Sequence, residues 1–116
     1  MCHMNVARLT NEVEAVSQSY ASRYGIERDA TWFMLKLQEE VGELTQAFLM
    51  LTGRARDKGA TPEQLQQGLR SELADVLCHL LLLARCHDVD LQAAVEENWL
   101  RRNPDWMSRR AETSSS

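Results

Sequence analysis

The sequence predicts an all-α fold, a single four-helix bundle, on three observations. Leucine outnumbers valine and isoleucine together, apolar residues recur at three- and four-residue steps, and no stretch alternates with a strand's period of two. A length of 116 residues with 44% hydrophobic content suits one domain with one core and excludes a disordered chain.

The first helix is read from Val6, Leu9, Val13, Val16 and Tyr20, one apolar stripe closed by Gly25. A second runs from an Asp29 cap to Gly53, with Phe33, Leu37, Val41, Leu44, Phe48 and Leu51 on one face. Gly53 to Ala60 is charged and glycine-containing, a loop whose Arg54, Arg56 and Lys58 read as solvated. Thr61-Pro62-Glu63-Gln64 starts the third helix with a cap, a proline at the first helical position and glutamine at the capping-box position. That helix carries Leu65, Leu69, Leu73, Val76, Leu77 and Leu80 to about Cys86. It is apolar all round at Leu80 to Leu83, the end expected to be most buried. A fourth helix starts near Asp88 or Asp90 and reaches Arg102, where Asn103-Pro104 stops it. Residues 1–104 form the domain on this reading, and 105–116 a flexible tail.

Composition excludes several classes. Thirteen basic and seventeen acidic residues give a net charge of −4, against general nucleic-acid binding. The longest apolar run is too short to span a bilayer, and the first residues lack a secretory-signal pattern. Cys2, Cys78 and Cys86 form an odd set without a CxxC spacing; eight residues along one helix separate the last two by about 12 Å, too far for a disulfide. Cys2 and His3 lack further ligands for a metal tract. A cytoplasmic protein is expected.

The acids are placed unusually. On helix two, Glu40 and Glu43 project to one side, and Glu40 lies about 20° from Phe33 and about 40° from Leu44 around the axis. On helix three, Glu72 and Asp75 are paired likewise, with Glu72 about 20° from Leu65 and about 40° from Val76. Both pairs border core-facing stripes, so packing the two helices brings them together. Four carboxylates beside a core repel one another, and burial raises their pKa values. A hard divalent cation relieves both effects and keeps sites for phosphate oxygens. The plainer reading is four solvated acids. A di-iron carboxylate bundle is disfavoured, since no glutamate is followed by histidine at the third position.

The run Lys36-Leu37-Gln38-Glu39-Glu40-Val41-Gly42-Glu43-Leu44, followed by Glu72-Leu73-Ala74-Asp75-Val76-Leu77, resembles the E-x-x-E then E-x-x-D pattern of MazG-type all-α nucleoside triphosphate pyrophosphohydrolases. The resemblance covers roughly residues 29 to 104. It implies a Mg²⁺-dependent enzyme, with Mn²⁺ as a possible substitute, that splits the α–β phosphoanhydride of (deoxy)nucleoside triphosphates into monophosphate and pyrophosphate. It implies Glu40, Glu43, Glu72 and Asp75 as metal ligands and Glu39 as an extra ligand or general base, with Glu39 and Glu40 not separable for the base role. It also implies a homodimer or homotetramer, and the long Val6-to-Tyr20 stripe suits that assembly.

Substrate contacts are expected from Lys36, which reaches a phosphate or instead bridges to Glu40, and from His79, one turn after Asp75. Trp32 either stacks on a base or simply packs. Asn98, Arg101 and Arg102 resemble the family's phosphate-gripping positions. Val95, Glu96 and Glu97 replace a lysine often found early in that segment. Ala74-Asp75-Val76-Leu77-Cys78-His79-Leu80-Leu81 also resembles phosphoribosyl-ATP pyrophosphohydrolases. A non-catalytic helical interaction module is the alternative from another class.

Overall fold

The computed structural model describes residues 4–114; Cys2 and His3 lie outside the described residues. Five α-helices follow one another: α1 (Val6–Tyr24), α2 (Ala30–Leu51), α3 (Pro62–Cys86), α4 (Leu91–Asn98) and α5 (Pro104–Ser114), with a 3-10 turn, Leu100–Arg102, between the last two. There is no strand among the described residues.

The helix ends follow from local chemistry. Asn5, Asp29, Thr61 and Asp90 each accept the backbone N–H three residues on, satisfying a donor the helix cannot. Thr61 and Gln64 form the reciprocal capping box, with Pro62 at the first position. Gly25 ends α1 at φ 64°, a left-handed conformation in which a side chain is disfavoured, and its N–H reaches the Ala21 carbonyl.

Two elements differ from the sequence reading. The fourth helix stops at Asn98 instead of Arg102, because Trp99 leaves the helical path (φ −122°, ψ −54°) and the chain tightens into the 3-10 turn. Beyond it, residues 104–114 are helical where a loose tail is expected. Asn103-Pro104 stops one helix and starts another: Asn103 Oδ1 accepts from the Asp105 and Trp106 N–H groups at 3.0 and 3.3 Å, and Pro104 holds the first helical position. Arg110 reaches Glu96 at 3.7 Å and ties α5 back to α4.

The long helices α2 and α3 form an antiparallel pair, the largest packing surface of the molecule, and α1 lies against α3. The buried apolar residues among those described are Ala21 on α1, Phe33 on α2, and Leu81 and Leu82 on α3. Of the run expected to be most buried, Leu81 and Leu82 are inside, Leu83 is half-buried and Leu80 faces outward. Val16 and Tyr20 are exposed too, because α1 turns Glu14 and Ala21 inward. Glu14 is held there by a two-pronged bond from Arg28 (Nη1 and Nη2, 2.9 Å each), by Gln18 Nε2 at 2.8 Å and by Arg85 at 3.3 Å. This cluster joins α1, the segment before α2 and the end of α3. The Arg28 guanidinium holds the Glu14 carboxyl below its usual range, overcoming the opposing effect of burial.

Exposed leucines form a second feature. Leu73, Leu77 and Leu80 line one face of α3 at four- and three-residue steps, all more than a third exposed. The radius of gyration is 18.0 Å, against about 13 Å for a compact chain of this length. The accessible surface is 9013 Å², against about 6,500 Å² for a folded monomer of this mass. No helix of the described residues is long and apolar enough to cross a membrane.

Candidate metal centre

The E-x-x-E spacing puts Glu40 and Glu43 one turn apart on α2, facing α3, and the antiparallel pairing sets Glu72 opposite. One carboxylate oxygen from each of the three lies within 4.8 Å of the others. Glu40 lies deepest, with 12% of its side chain exposed. Its Oε2, and Oε2 of Glu72, are buried without a hydrogen-bond partner. Burial first, then the neighbouring Glu43 carboxyl, pushes the Glu40 pKa from 4.5 up to about 7, with Asp75 and Glu72 adding to it. Glu72 shifts upward as well, through burial and the charges of Glu43 and Asp75.

Such a site is unfavourable on its own terms. Buried carboxylate oxygens without donors cost free energy, and like charges this close resist joint ionisation. A hard divalent cation is the partner whose chemistry fits an all-oxygen, multiply anionic donor set. The two orphaned oxygens pass that test from opposite helices.

The remaining candidate residues divide by position. Asp75 is exposed and outside the three-acid group, yet near enough that its charge acts on both Glu40 and Glu72. Glu39 lies outside the three-acid group, 56% exposed, and pairs with Lys36 at 3.4 Å. Lys36 therefore bridges to Glu39, not to Glu40. His79 Nε2 is 3.9 Å from Glu40 Oε1, and burial, helped by Lys36, lowers the imidazole pKa so that the ring is neutral at pH 7. The Trp32 ring stands 6.4 Å from the His79 ring and 5.3 Å from the Phe33 ring, packed at the same end of the site.

The structure does not bring Asn98, Arg101 and Arg102 to the acids. They lie at the end of α4 and in the 3-10 turn, α4 packs on α1, and the Arg102 guanidinium sits 5.9 Å from the Trp99 ring centre. No hydrogen bond or ion pair among the described residues joins them to the acidic group.

On the side of the cluster away from Trp32 and His79, a groove continues between α2 and α3 toward the 53–60 loop, with Gln46, Met50, Gln64 and Gly68 in its walls. Sequence reading did not single out this face, and treated Gln64 only as a cap. The signal was there: Gln46 follows Glu43, and Gly68 precedes Glu72, by about one helical turn.

A family model described as MazG nucleotide pyrophosphohydrolase domain matches residues 28–105. The match covers more than half of the chain, which therefore belongs to this family, and it takes in all four acids of the two motifs. No curated protein matches the chain.

Proposed function

We propose that this MazG-family chain is a Mg²⁺-dependent nucleoside triphosphate pyrophosphohydrolase, splitting the α–β anhydride to a nucleoside monophosphate and pyrophosphate. The observation that carries the reading is the Glu40–Glu43–Glu72 group with two buried oxygens that no described residue satisfies. These three acids would hold the cation, with Asp75 completing the set at the mouth. Bound there, Mg²⁺ or Mn²⁺ would offset the charge of the phosphates and stabilise the charge that develops on transfer.

The chain's own residues supply the rest. Attack of water on the α phosphorus forms one P–O bond and breaks the bond from the α phosphorus to the α–β bridging oxygen, which leaves as part of pyrophosphate, and the water's proton needs an acceptor. We assign that role to Glu39, which stands outside the acidic group, whereas Glu40 is committed to it. Lys36, exchanging Glu39 for substrate, would bind a phosphate oxygen. His79 is neutral and offers Nδ1, buried without a partner, as a group to orient the substrate at the Trp32 end.

A second copy of the chain is proposed as the partner, on the strength of the exposed Leu73–Leu77–Leu80 face and the excess surface. Free Cys78 and Cys86 are in keeping with a cytoplasmic site of action.

The test is pyrophosphate release from a panel of ribo- and deoxyribonucleoside triphosphates and phosphoribosyl-ATP, with Mg²⁺. Release from at least one, abolished in Glu43→Ala and Asp75→Ala while helical content is kept, supports the reading. Release from phosphoribosyl-ATP alone moves the substrate class. No release from any of them favours a non-catalytic helical module.

A further inference from the structure

We infer that Arg28, clamped by Glu14, is a positioning residue for the aromatic flank of the metal centre: it fixes the first turn of α2 and so sets Trp32 against the His79 ring. The inference rests on the pyrophosphohydrolase reading, in which His79 orients the substrate, and adds what orients His79.

The His79 ring lacks a common anchor. A working imidazole is usually fixed by a hydrogen bond at its second nitrogen. Here Nδ1 is buried without a partner, and Nε2 lies 3.9 Å from Glu40 Oε1, beyond hydrogen-bond reach. The orientation of the ring is therefore left to packing. Trp32 is the aromatic neighbour that supplies it, with 6.4 Å between ring centres and an angle of 64° between their planes.

Trp32 is held in turn from behind. Its ring meets Phe33 edge-on, at 5.3 Å and 77°, and Phe33 is buried. The Arg28 guanidinium lies over Phe33, 5.3 Å from the ring centre. That guanidinium is fixed on its other side. Nη1 and Nη2 each donate to Glu14 at 2.9 Å, and Nη1 also donates to Ser17 Oγ at 3.0 Å. Arg28 directly precedes Asp29, the cap of α2, so holding its head holds the place where the helix begins. Trp32 and Phe33 follow in the first turn after that cap.

Stability alone does not account for the pair. Apolar side chains of similar volume commonly serve a fold as well as a buried ion pair does, or better. What the pair adds is direction, because a planar fork on a carboxylate holds one geometry. Packed on α3, α1 lends its position through this bond to the start of α2.

The experiment uses the full chain with Mg²⁺ and the nucleoside triphosphate it hydrolyses fastest, and compares the wild type with Glu14→Leu paired with Arg28→Met. The pair removes both buried charges at similar volume and takes the flat guanidinium off Phe33. KM should rise by about tenfold, the loss of one oriented hydrogen bond, with kcat changed little and Mn²⁺ binding, followed by electron paramagnetic resonance, unchanged. In a Trp99→Phe, Trp106→Phe background, Trp32 emission should move to the red and acrylamide should quench it more. In a His79→Ala background the pair should raise KM no further, since its effect passes through that ring. A role confined to stability moves Tm and none of these. Should the paired variant lose its helical circular dichroism, Arg28→Lys decides: lysine keeps the charge beside Glu14 without the flat face over Phe33, and the same rise in KM is expected. An unchanged KM, or Trp32 emission that stays where it was, overturns the inference. Losses that add to those of His79→Ala overturn it too, and each of these results leaves the pyrophosphohydrolase reading standing. A wild type that hydrolyses no nucleotide ends that reading, and this inference with it.

Discussion

His79 Nε2 stands 3.9 Å from Glu40 Oε1, while the other nitrogen of the ring and the other oxygen of the carboxylate are each buried without a hydrogen-bond partner. The two side chains are close enough to exclude water and too far apart to satisfy one another. Burial acts on them in opposite directions, driving Glu40 toward its protonated form and His79 toward its neutral form. Neither becomes a partner for the other's charge. A site built this way is a local weakness of the fold, tolerable where a ligand repairs it.

Glu40→Gln tests this weakness. The amide keeps the shape, removes a buried charge and relieves repulsion from Glu43, Glu72 and Asp75. At pH 8 without metal, Tm should rise by about 5 °C, while Mn²⁺ binding weakens and pyrophosphate release is lost. Differential scanning fluorimetry and a turnover assay read both effects. A Tm below that of the wild type would mean that the carboxylate has a partner in the folded chain.

The pH dependence follows from the same group. Glu40 titrates near 7 in the folded chain against its ordinary 4.5, so the folded state holds a proton that the unfolded state releases. Its contribution is fully present below 4.5 and is lost as pH rises through 7; Glu72 shifts in the same direction. Glu14 works in reverse: its lowered pKa stabilises above 4.5 and is lost as pH falls through the folded value. Without metal, Tm should therefore decline from about pH 5.5 to about pH 8. Millimolar Mg²⁺ should remove most of that decline, because the cation binds the ionised acids of the folded chain alone. Parallel melting curves with and without Mg²⁺ would argue against a preformed site.

The first three helices and the caps Asp29, Thr61 and Asp90 were legible because they depend on short-range chemistry, each cap sitting three residues before the donor it satisfies. The E-x-x-E and E-x-x-D spacings were legible as faces, which is why Glu40, Glu43 and Glu72 could be brought together before any coordinates. Asp75 shows the limit, since a helical wheel gives an angle but not the depth at which a residue meets the opposite helix. Glu14 shows another: flanked by Val13 and Ala15, it reads as a surface acid, and its partner Arg28 lies in the segment before the next helix. The α5 start was hidden because Asn-Pro both ends and begins helices. Leu73, Leu77 and Leu80 read as core by period alone, because periodicity cannot tell a face covered within the chain from one left open.

Arg28→Ala should destabilise the protein by about 3 kcal/mol, since it leaves the Glu14 charge buried with Arg85 and Gln18 as its remaining partners. Urea denaturation measures the loss. The paired replacement Glu14→Leu with Arg28→Met should recover most of it, because neither charge then needs solvation. Equal losses in the single and paired variants would show that the cluster contributes by shape and not by charge.

The open α3 face gives the last prediction. Three leucines spaced at four and three residues form a continuous strip on a helix whose other face already meets α2, and all remain more than a third exposed. On α1, Tyr20 and Tyr24 are exposed as well, but their rings cover one another at 4.7 Å between centroids. The α3 strip has no such local cover, and the roughly 2,500 Å² of surplus surface matches what one subunit of a permanent dimer hides. Leu77→Glu, in the middle of the strip, should convert a dimeric or tetrameric wild type into smaller species in sedimentation velocity, with Tm dependent on protein concentration in the wild type and independent of it in the variant. Tyr20→Ser should leave the sedimentation coefficient unchanged. A wild type that sediments as a monomer at micromolar concentration would show that the strip is tolerated open, and that the chain needs no second copy to fold.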